Sequence, residues 1–435
     1  MDSLKGIFIS AMETEKLDAD FKDLNTASLN YSFDRMLLRY PRNHSNFTGN
    51  KTQLSEEAFQ GMVSEVDQLK YKELDYYKRF TRTWLDQQIE RALVNPDTTN
   101  TFLGAVKTNK ALELIDNTFK HSELVEYWSF EMIKAHIEEY TWINGKKYLK
   151  QLKATCSTPA FCTEIEQYEN ELLTDREGHE ILVYKTVKGR QLEVHIFKPA
   201  DFDPNTTYAT LGAFHGGGWA SGHADWTFDS AKRVTDWGMI GIAVEYRLSN
   251  WADVTPLEAV LDAQDFMVWL RENAEAIGVD PQRIVLKGVS AGGHIVNALS
   301  VIPEFQVEAS QPNALILLSP AIDTKDDYFY SLVKDTSHTT LLSPLSNLGS
   351  AVAAPTTLIL QGKTDRLTPT TFVETYQGKM DELGYPCEVT LYDNCGHIFT
   401  PSHLDDRGFP QPDPVIMEKS FQRQKVFLTN LGYIN

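Results

Sequence analysis

The chain has 435 residues, of which 42% are apolar and 11% aromatic, and its formal net charge at pH 7 is −19. It contains no apolar run near the roughly 18 residues that a membrane-spanning helix needs, so the composition predicts a soluble globular protein. Its acidic surface repels phosphate backbones and anionic lipids, which argues against nucleic acid as a partner.

The start of the sequence carries no evident secretory signal, because its one short apolar stretch is followed at once by charges. We therefore expect a cytoplasmic protein. Its four cysteines do not make a disulfide framework and are expected as small core thiols, with a Cys156–Cys162 pair as the alternative. No CxxC, HExxH or other Cys/His spacing typical of a metal site is present, so we expect no metal and no cofactor.

The first part of the chain is poor in residues that form turns. Residues 1–178 hold only 6 of the 25 glycines and 3 of the 18 prolines. Apolar residues recur there at i, i+3, i+4 and i+7, most clearly over residues 59–94 and 124–152, which predicts amphipathic helices. We therefore expect a helical N-terminal domain over residues 1–178 and a second domain over residues 179–435.

From about residue 180 the pattern changes to short β-branched or apolar runs bounded by Gly, Pro or Asp. Eight such runs predict strands, in chain order ILVYKTV, LEVHIFKP, ATLGAFH, MIGIAVEY, RIVLKG, ALILLSP, TTLILQG and CEVTLYD. Helical patterns lie between several of them. This alternation predicts right-handed crossovers over a mostly parallel eight-stranded sheet, with functional groups at the carboxyl ends of the strands.

Three consecutive glycines, Gly216–Gly218, follow the third predicted strand directly after His215. Backbone N–H groups that no Cβ atom shields can converge on a negatively charged oxygen. One such donor typically contributes ~2.7–4 kcal/mol to transition-state stabilisation. The run therefore predicts an oxyanion-hole loop, and an ordinary flexible glycine loop is the alternative.

The segment Gly288-Val289-Ser290-Ala291-Gly292 lies between the fifth predicted strand and a helical pattern, the context that a G-x-S-x-G motif requires. Its glycines leave room for a sharp turn that lifts the serine hydroxyl clear of the sheet. The helix that follows points its N-terminal N–H groups and positive dipole end at developing negative charge. Ser290 is therefore the candidate nucleophile, and a plain strand-to-helix turn of small residues is the alternative.

Two more residues complete a catalytic set in the order serine, aspartate, histidine. Asp365 follows the seventh predicted strand and His397 follows the eighth. Such an order is the one found in α/β-hydrolases. His403 and Asp393 are the competing choices, but neither has the strand-end position with a neighbouring glycine.

The stretches HGGGW, EYRL, VDPQRIVLKGVSAGGH, QGKTDRLTP and CGHIF together resemble the hormone-sensitive-lipase-like branch of the α/β-hydrolase superfamily. The resemblance spans roughly residues 181–430. It implies an α/β-hydrolase fold and esterase or lipase-like chemistry, with Ser290, Asp365 and His397 as the triad. The oxyanion donors that it implies are the N–H groups of Gly216, Gly217 and Ala291.

Two departures from that branch concern the subfamily, and with it the substrate, and they leave the triad intact. Val289 stands where members often have Asp, and Ser249-Asn250-Trp251 stands where they usually carry Ala-Pro-Glu. Members also cover the site with a cap made partly of N-terminal helices. Residues 1–178 exceed an ordinary cap, so a separate helical domain over part of them is the alternative. We expect residues 323–350 to form a second cap element. We expect the substrate to contact Trp219, Trp251, Leu367 and Ile398.

The predicted function is a serine hydrolase that forms an acyl-enzyme from a carboxylic ester or lactone of a bulky, apolar small molecule. An acyltransferase, a cyclase or a carbon–carbon bond hydrolase with the same triad is the alternative. A non-catalytic ligand-binding protein of this fold is expected to have lost a triad member, and all three are present. The substrate is the expected partner, and a homodimer through the helical surface is a further alternative.

Overall fold

The structure is a computed structural model. It describes residues 6–7, 10–11, 13, 17–50, 52–55, 57, 59, 61–93, 101–249, 254–325, 327–333, 336–351, 353–406 and 408–434. The chain divides into two compact units, Met1–Asp175 with Lys188–Arg190, and Arg176–Val187 with Gln191–Asn435. The first unit is helical, and the second contains the sheet.

The first unit consists of helices. Its helices are α1 (Ala19–Thr48), α2 (Val63–Val66), α3 (Asp75–Ala92), α4 (Leu103–Thr118), α5 (Ser122–Thr155) and α6 (Pro159–Thr174). Asp18 is the N-cap of α1, and its carboxylate accepts the N–H of Asp20 at 2.9 Å. Gly49, with φ +71°, is the C-cap at which α1 ends. At Thr141, φ 70° and ψ 164° interrupt α5.

Several buried aromatic side chains belong to the core of this unit. They include Tyr31, Tyr77, Phe80, Trp84 and Trp128. Tyr31 lies 5.4 Å from Tyr77 between ring centroids, in an edge-to-face arrangement that aromatic pairs favour. The predicted helical pattern of the N-terminal region is therefore present as helices packed around a shared apolar core.

A disulfide joins Cys156, at the end of α5, to Cys162 in α6, with 5.8 Å between their Cα atoms. The Glu126 carboxylate lies at the same turn and accepts the N–H of Ser157 at 2.7 Å and of Thr158 at 3.1 Å. The structure thus shows the alternative that the sequence left open for this pair. Of the other cysteines, Cys387 is partly buried and Cys395 is buried, and both are free thiols.

Eight strands form one sheet in the second unit, as predicted. They are β1 (Glu180–Val187), β2 (Arg190–Phe197), β3 (Tyr208–Phe214), β4 (Ile240–Val244), β5 (Val279–Val289), β6 (Ala314–Leu318), β7 (Thr356–Gly362) and β8 (Cys387–Tyr392). The order across the sheet is β1-β2-β4-β3-β5-β6-β7-β8. β2 pairs antiparallel with β4, and every pairing from β4 to β8 is parallel, which confirms the predicted mostly parallel sheet.

Helices follow most of the parallel strands. They are α7 (Phe228–Thr235), α8 (Pro256–Glu272), α9 (Ala274–Ile277), α10 (Ala291–Val301), α11 (Asp327–Val333), α12 (Thr336–Leu341), α13 (Pro344–Asn347), α14 (Thr370–Glu382) and α15 (Pro414–Asn430). α8 begins with a capping box, in which Thr255 and Glu258 satisfy each other's backbone N–H groups, and with Pro256 in its first turn. These local signals explain why the helix starts there.

The central strands are buried on both faces, which explains why they read as continuous apolar runs. All five residues of β4 and of β6 are buried. Because the parallel strands share one direction, the segments after β3, β5, β7 and β8 lie at the same edge of the sheet. Within the described residues, no helix combines the length and apolar character needed to cross a membrane.

Candidate active site

Ser290 lies at the turn between β5 and α10, with φ 53° and ψ −114°. A Cβ atom on Gly288 would meet the backbone of Gly292, and one on Gly292 would meet the backbone of Phe214 and His215. Only glycine therefore lets strand and helix approach this closely. The positive φ of Ser290 is strained for a residue with a side chain, and such strain is concentrated at functional sites.

The three side chains predicted as a triad meet at this edge of the sheet. Ser290 Oγ lies 2.9 Å from His397 Nε2, and His397 Nδ1 lies 2.9 Å from Asp365 Oδ2. An ionised carboxylate can only accept, so Nδ1 carries the proton of the neutral ring and Nε2 presents a lone pair to the serine hydroxyl. This arrangement can move the serine proton to the imidazole.

The Asp365 carboxylate has four further donors. Its Oδ1 accepts the backbone N–H of Leu367 at 2.9 Å and of Thr368 at 2.8 Å. Its Oδ2 accepts from Gln361 Nε2 at 3.0 Å and from Thr368 Oγ1 at 2.8 Å. Because Gln361 belongs to the buried strand β7, the sheet itself orients the carboxylate towards His397.

The glycine loop lies directly against the serine turn. An ideal Cβ atom on Gly216 would be 3.2 Å from Val289 O and 3.3 Å from Ser290 Cβ. Gly217 has φ +109° and Gly218 has φ +59°, values that side chains rarely allow. Among the described residues, no hydrogen bond is found in which the N–H group of Gly216 or Gly217 is the donor.

His215, just before the glycines, supports this loop as a neutral ring. Burial lowers the pKa of its imidazole to about 3. The Tyr246 hydroxyl donates to His215 O at 2.8 Å, and the two rings stack with centroids 4.3 Å apart. The loop therefore rests on strand β3 and on the residues after β4 without placing a positive charge beside the serine.

The four residues predicted to contact substrate have different environments. Leu367 is 46% exposed, beside the Asp365 loop, whereas Trp219 is only 5% exposed. Ile398 is partly buried, and its N–H donates to Ser319 Oγ at 3.0 Å. Trp251 lies outside the described residues.

The competing choices for the triad are placed elsewhere. Asp393 forms an exposed ion pair with Lys363, 2.7 Å between Oδ1 and Nζ. His403 is exposed. Neither side chain contacts the serine turn in any hydrogen bond or ion pair found in the described part of the chain.

Several residues that orient the triad were missed in the sequence. Gln361 and Thr368 lie within the stretch QGKTDRLTP, so their nearness to Asp365 was the available signal. Ser319, directly after β6, has φ 45° and a fully buried side chain. Asp406 lies in a polar segment, and nothing in its sequence context indicates the burial that the structure shows.

Comparison with known proteins agrees with the fold of the sheet unit. Residues 211–335 match a family model described as an alpha/beta hydrolase fold. Over 154 residues, 35% of this chain, the sequence is 34% identical to an ethyl acetate hydrolase of Pseudomonas putida. Over 284 residues, 62% of this chain, it is 25% identical to carboxylesterase 1D of Rattus norvegicus. The chain spans about half the length of these curated relatives, 44% and 47% respectively.

Solved structures give the same result over nearly the whole length of the matched chains. Esterase 2 of Thermogutta terrifontis, phosphorylated by paraoxon, is 27% identical with a TM-score of 0.53, and the match covers 60% of this chain and 96% of that one. The propionate-bound form of that esterase is 28% identical, also with a TM-score of 0.53 and 96% coverage. The sheet unit therefore has an α/β-hydrolase fold, and it is similar to esterases of that fold.

Proposed function

We propose that the chain is a serine hydrolase that cleaves carboxylic esters through an acyl-enzyme. The hydrogen-bonded series from Ser290 through His397 to Asp365 is the observation that carries this proposal. His397 Nε2 takes the hydroxyl proton as Ser290 Oγ attacks the ester carbonyl. The tetrahedral intermediate then collapses, and the imidazolium gives its proton to the departing alkoxide. The alcohol leaves, and the acyl group stays on Ser290.

Water completes the cycle by the same steps in the second half-reaction. His397 takes a proton from the water molecule as its oxygen attacks the acyl carbonyl. Collapse of this intermediate breaks the bond to Ser290 Oγ, which recovers its proton from the imidazolium. The products are one alcohol and one carboxylic acid, and the enzyme returns to its starting state.

The negative oxygen of both intermediates needs donors in place before it forms. We propose the N–H groups of Gly216, Gly217 and Ala291 for this role. The closeness of Gly216 to the serine turn supports the first two, and the position of Ala291 at the start of α10 supports the third.

The substrate we propose is an apolar small-molecule ester or lactone. Two names support an ester, since one relative is called an ethyl acetate hydrolase and one structural neighbour is called an esterase. The structure adds exposed apolar side chains on the sheet unit, including Leu367 beside the triad acid and Trp226, whose ring packs edge-on against His215. Such surface suits an apolar ligand better than a charged one.

The test is a panel of p-nitrophenyl esters of increasing acyl length, with several lactones, assayed on the wild type and on Ser290→Ala. We expect turnover of at least one ester by the wild type and nearly none by Ser290→Ala. Ser402→Ala is the matched control, because Ser402 is exposed in the segment after His397, and it should keep the full rate. Equal turnover by Ser290→Ala with an unchanged circular dichroism spectrum would overturn the proposal.

The same assay in H₂¹⁸O identifies the acyl acceptor. Hydrolysis places one ¹⁸O atom in each carboxylic acid product, because water attacks the acyl-enzyme. Transfer to an added alcohol or amine in preference to water, with little labelled acid, would show an acyltransferase instead.

A further inference from the structure

An indole and an imidazole connect the glycine loop to the helix that begins beside the nucleophile. Trp219 Nε1 donates to His294 Nδ1 at 3.1 Å, and His294 Nε2 lies 2.8 Å from Leu342 O. His294 belongs to α10, one turn after Ser290, and its backbone N–H donates to Ser290 O at 3.1 Å. Trp219 and His294 are buried, at 5% and 0% exposure.

The chemistry of its two partners fixes the protonation of the His294 ring. An indole N–H can only donate, so Nδ1 must present its lone pair to Trp219. A carbonyl oxygen can only accept, so Nε2 must carry the proton that faces Leu342. Burial lowers the pKa of His294 to about 4, which keeps the ring neutral near pH 7 and preserves both bonds.

Trp219 is where the glycine loop ends, in a conformation that needs support. Its φ is +60°, and it follows directly after Gly218, which also has a positive φ. A left-handed conformation is costly for a bulky side chain and persists only where the surroundings hold it. The contacts that hold it include the bond to His294, the N–H of Ser249 on Trp219 O at 2.6 Å, and the ring of Phe329 at 4.9 Å between centroids.

We propose that His294 is a positioning residue that holds Trp219, and through it the N–H groups of Gly216 and Gly217, where the substrate oxygen becomes negative. This inference rests on the proposed serine hydrolase function and deepens it. Trp219 then acts as the anchor of the loop rather than as a surface for the substrate. A displacement of these N–H donors by a fraction of an ångström destabilises the transition state more than it destabilises the bound ester. The loss of activity should therefore appear in kcat and much less in KM.

Two substitutions of His294 separate this role from a merely structural one. In His294→Asn, the amide oxygen can occupy the place of Nδ1, so the bond to Trp219 is kept and the bond to Leu342 is lost. In His294→Gln, the amide nitrogen can occupy the place of Nε2, so the bond to Leu342 is kept and the bond to Trp219 is lost. Each variant removes one hydrogen bond, and we expect similar drops in the thermal unfolding midpoint.

The two variants should differ in catalysis. We expect His294→Gln to lower kcat on the order of 10- to 100-fold with KM within about 2-fold, and His294→Asn to stay within a few-fold of the wild type. Trp219→Phe, which keeps an aromatic ring but removes the indole N–H together with part of the ring volume, should lower kcat as His294→Gln does. In the Trp219→Phe background, the Asn and Gln variants should have equal kcat, because the bond that distinguishes them is gone.

Equal kcat for His294→Asn and His294→Gln, or a wild-type kcat in Trp219→Phe, would overturn the positioning role. Trp219→Phe makes the second test independent of how either histidine variant folds. Labelling of Ser290 by a fluorophosphonate in the wild type separates this failure from failure of the proposed function. A labelled, active wild type with equal variants rejects only the role of His294, whereas an unlabelled, inactive wild type rejects both.

Discussion

The side-chain carboxylate of Asp406 accepts a hydrogen bond from the backbone N–H of His397 at 3.2 Å. The same oxygen accepts the backbone N–H of Arg366 at 3.2 Å, and the Arg366 guanidinium lies 3.2 Å from the other oxygen. Asp406 is 2% exposed. One buried carboxylate therefore ties the loop of the triad acid to the loop of the triad histidine.

Asp406→Ala should impair both stability and turnover, because two backbone N–H groups lose their acceptor at once. We expect a loss of about 1–3 kcal/mol in the free energy of unfolding and at least a tenfold loss in kcat. Asp406→Asn keeps an acceptor oxygen of nearly the same shape and should retain most of both. Urea unfolding and ester kinetics of the two variants check this, and a fully active Asp406→Ala would show that the link does not orient the triad.

His397→Ala should lower kcat by several orders of magnitude, since this ring is the base for attack and the acid for departure of the alcohol. His403→Ala is its control, because His403 is an exposed histidine only six positions further along the chain. Steady-state kinetics on one ester compares them. If His403→Ala carried the large loss and His397→Ala did not, the assignment of the base would be wrong.

The buried Lys287 should make the free energy of unfolding depend on pH. It lies on β5 with 2% exposure, its Nζ is 2.9 Å from Ser230 Oγ, and burial lowers its pKa from 10.5 to about 7. Between about pH 7 and pH 10 the unfolded chain therefore binds more protons at this residue than the folded chain. The contribution of Lys287 to the free energy of unfolding should rise with pH across that window and stay at its lowest value below it.

Lys287→Met is the variant that tests this sign. It should unfold with a higher free energy than the wild type near pH 7 and lose the part of the slope between pH 7 and 10 that Lys287 supplies. Lys425→Met, which changes an exposed lysine, is the control and should keep the slope of the wild type. Urea unfolding at pH 7, 8 and 9 gives the three slopes, and identical slopes for Lys287→Met and the wild type would refute the account.

If the Cys156–Cys162 disulfide is formed, two of the four cysteines should be free thiols before reduction. Alkylation of the unfolded, unreduced chain followed by intact mass should modify two thiols, Cys387 and Cys395, and reduction should raise the count to four. Replacing both disulfide cysteines with serine should cost about 2 kcal/mol, because the bond closes only a short loop. Four modified thiols before reduction would show that the pair is not formed, as the predicted cytoplasmic location would favour.

The fold and the site could be predicted from the sequence where the local pattern and the tertiary structure favour the same arrangement. Strands β3 to β7 are buried on both faces, so their apolar runs were unmistakable, and the glycines at 288 and 292 are required by close backbone approach. The meeting of Ser290, Asp365 and His397 follows from parallel strands that end at one edge. The role of residues 1–178 as a lid and the boundary at 178 stay predictions.

Features that depend on distant parts of the chain could not be read from the sequence. Asp406 is buried because it meets backbone groups of Arg366 and His397, and these lie 40 and 9 positions away. Helix α5 is interrupted at Thr141, where the sequence has neither the proline nor the glycine that usually indicates a helix break. The link from Trp219 to His294 spans 75 positions, and only the folded chain brings the two rings together.

Covalent labelling tests directly whether Ser290 is a nucleophile that His397 activates. A fluorophosphonate should add one phosphonyl group to the folded wild type, with peptide mapping that places it on Ser290 and a rate that falls sharply in His397→Ala. The Ser290→Ala variant should remain unlabelled under the same conditions. A wild type that stays unlabelled at Ser290, or a Ser290→Ala variant labelled as fast as the wild type, would show that Ser290 is not the activated nucleophile.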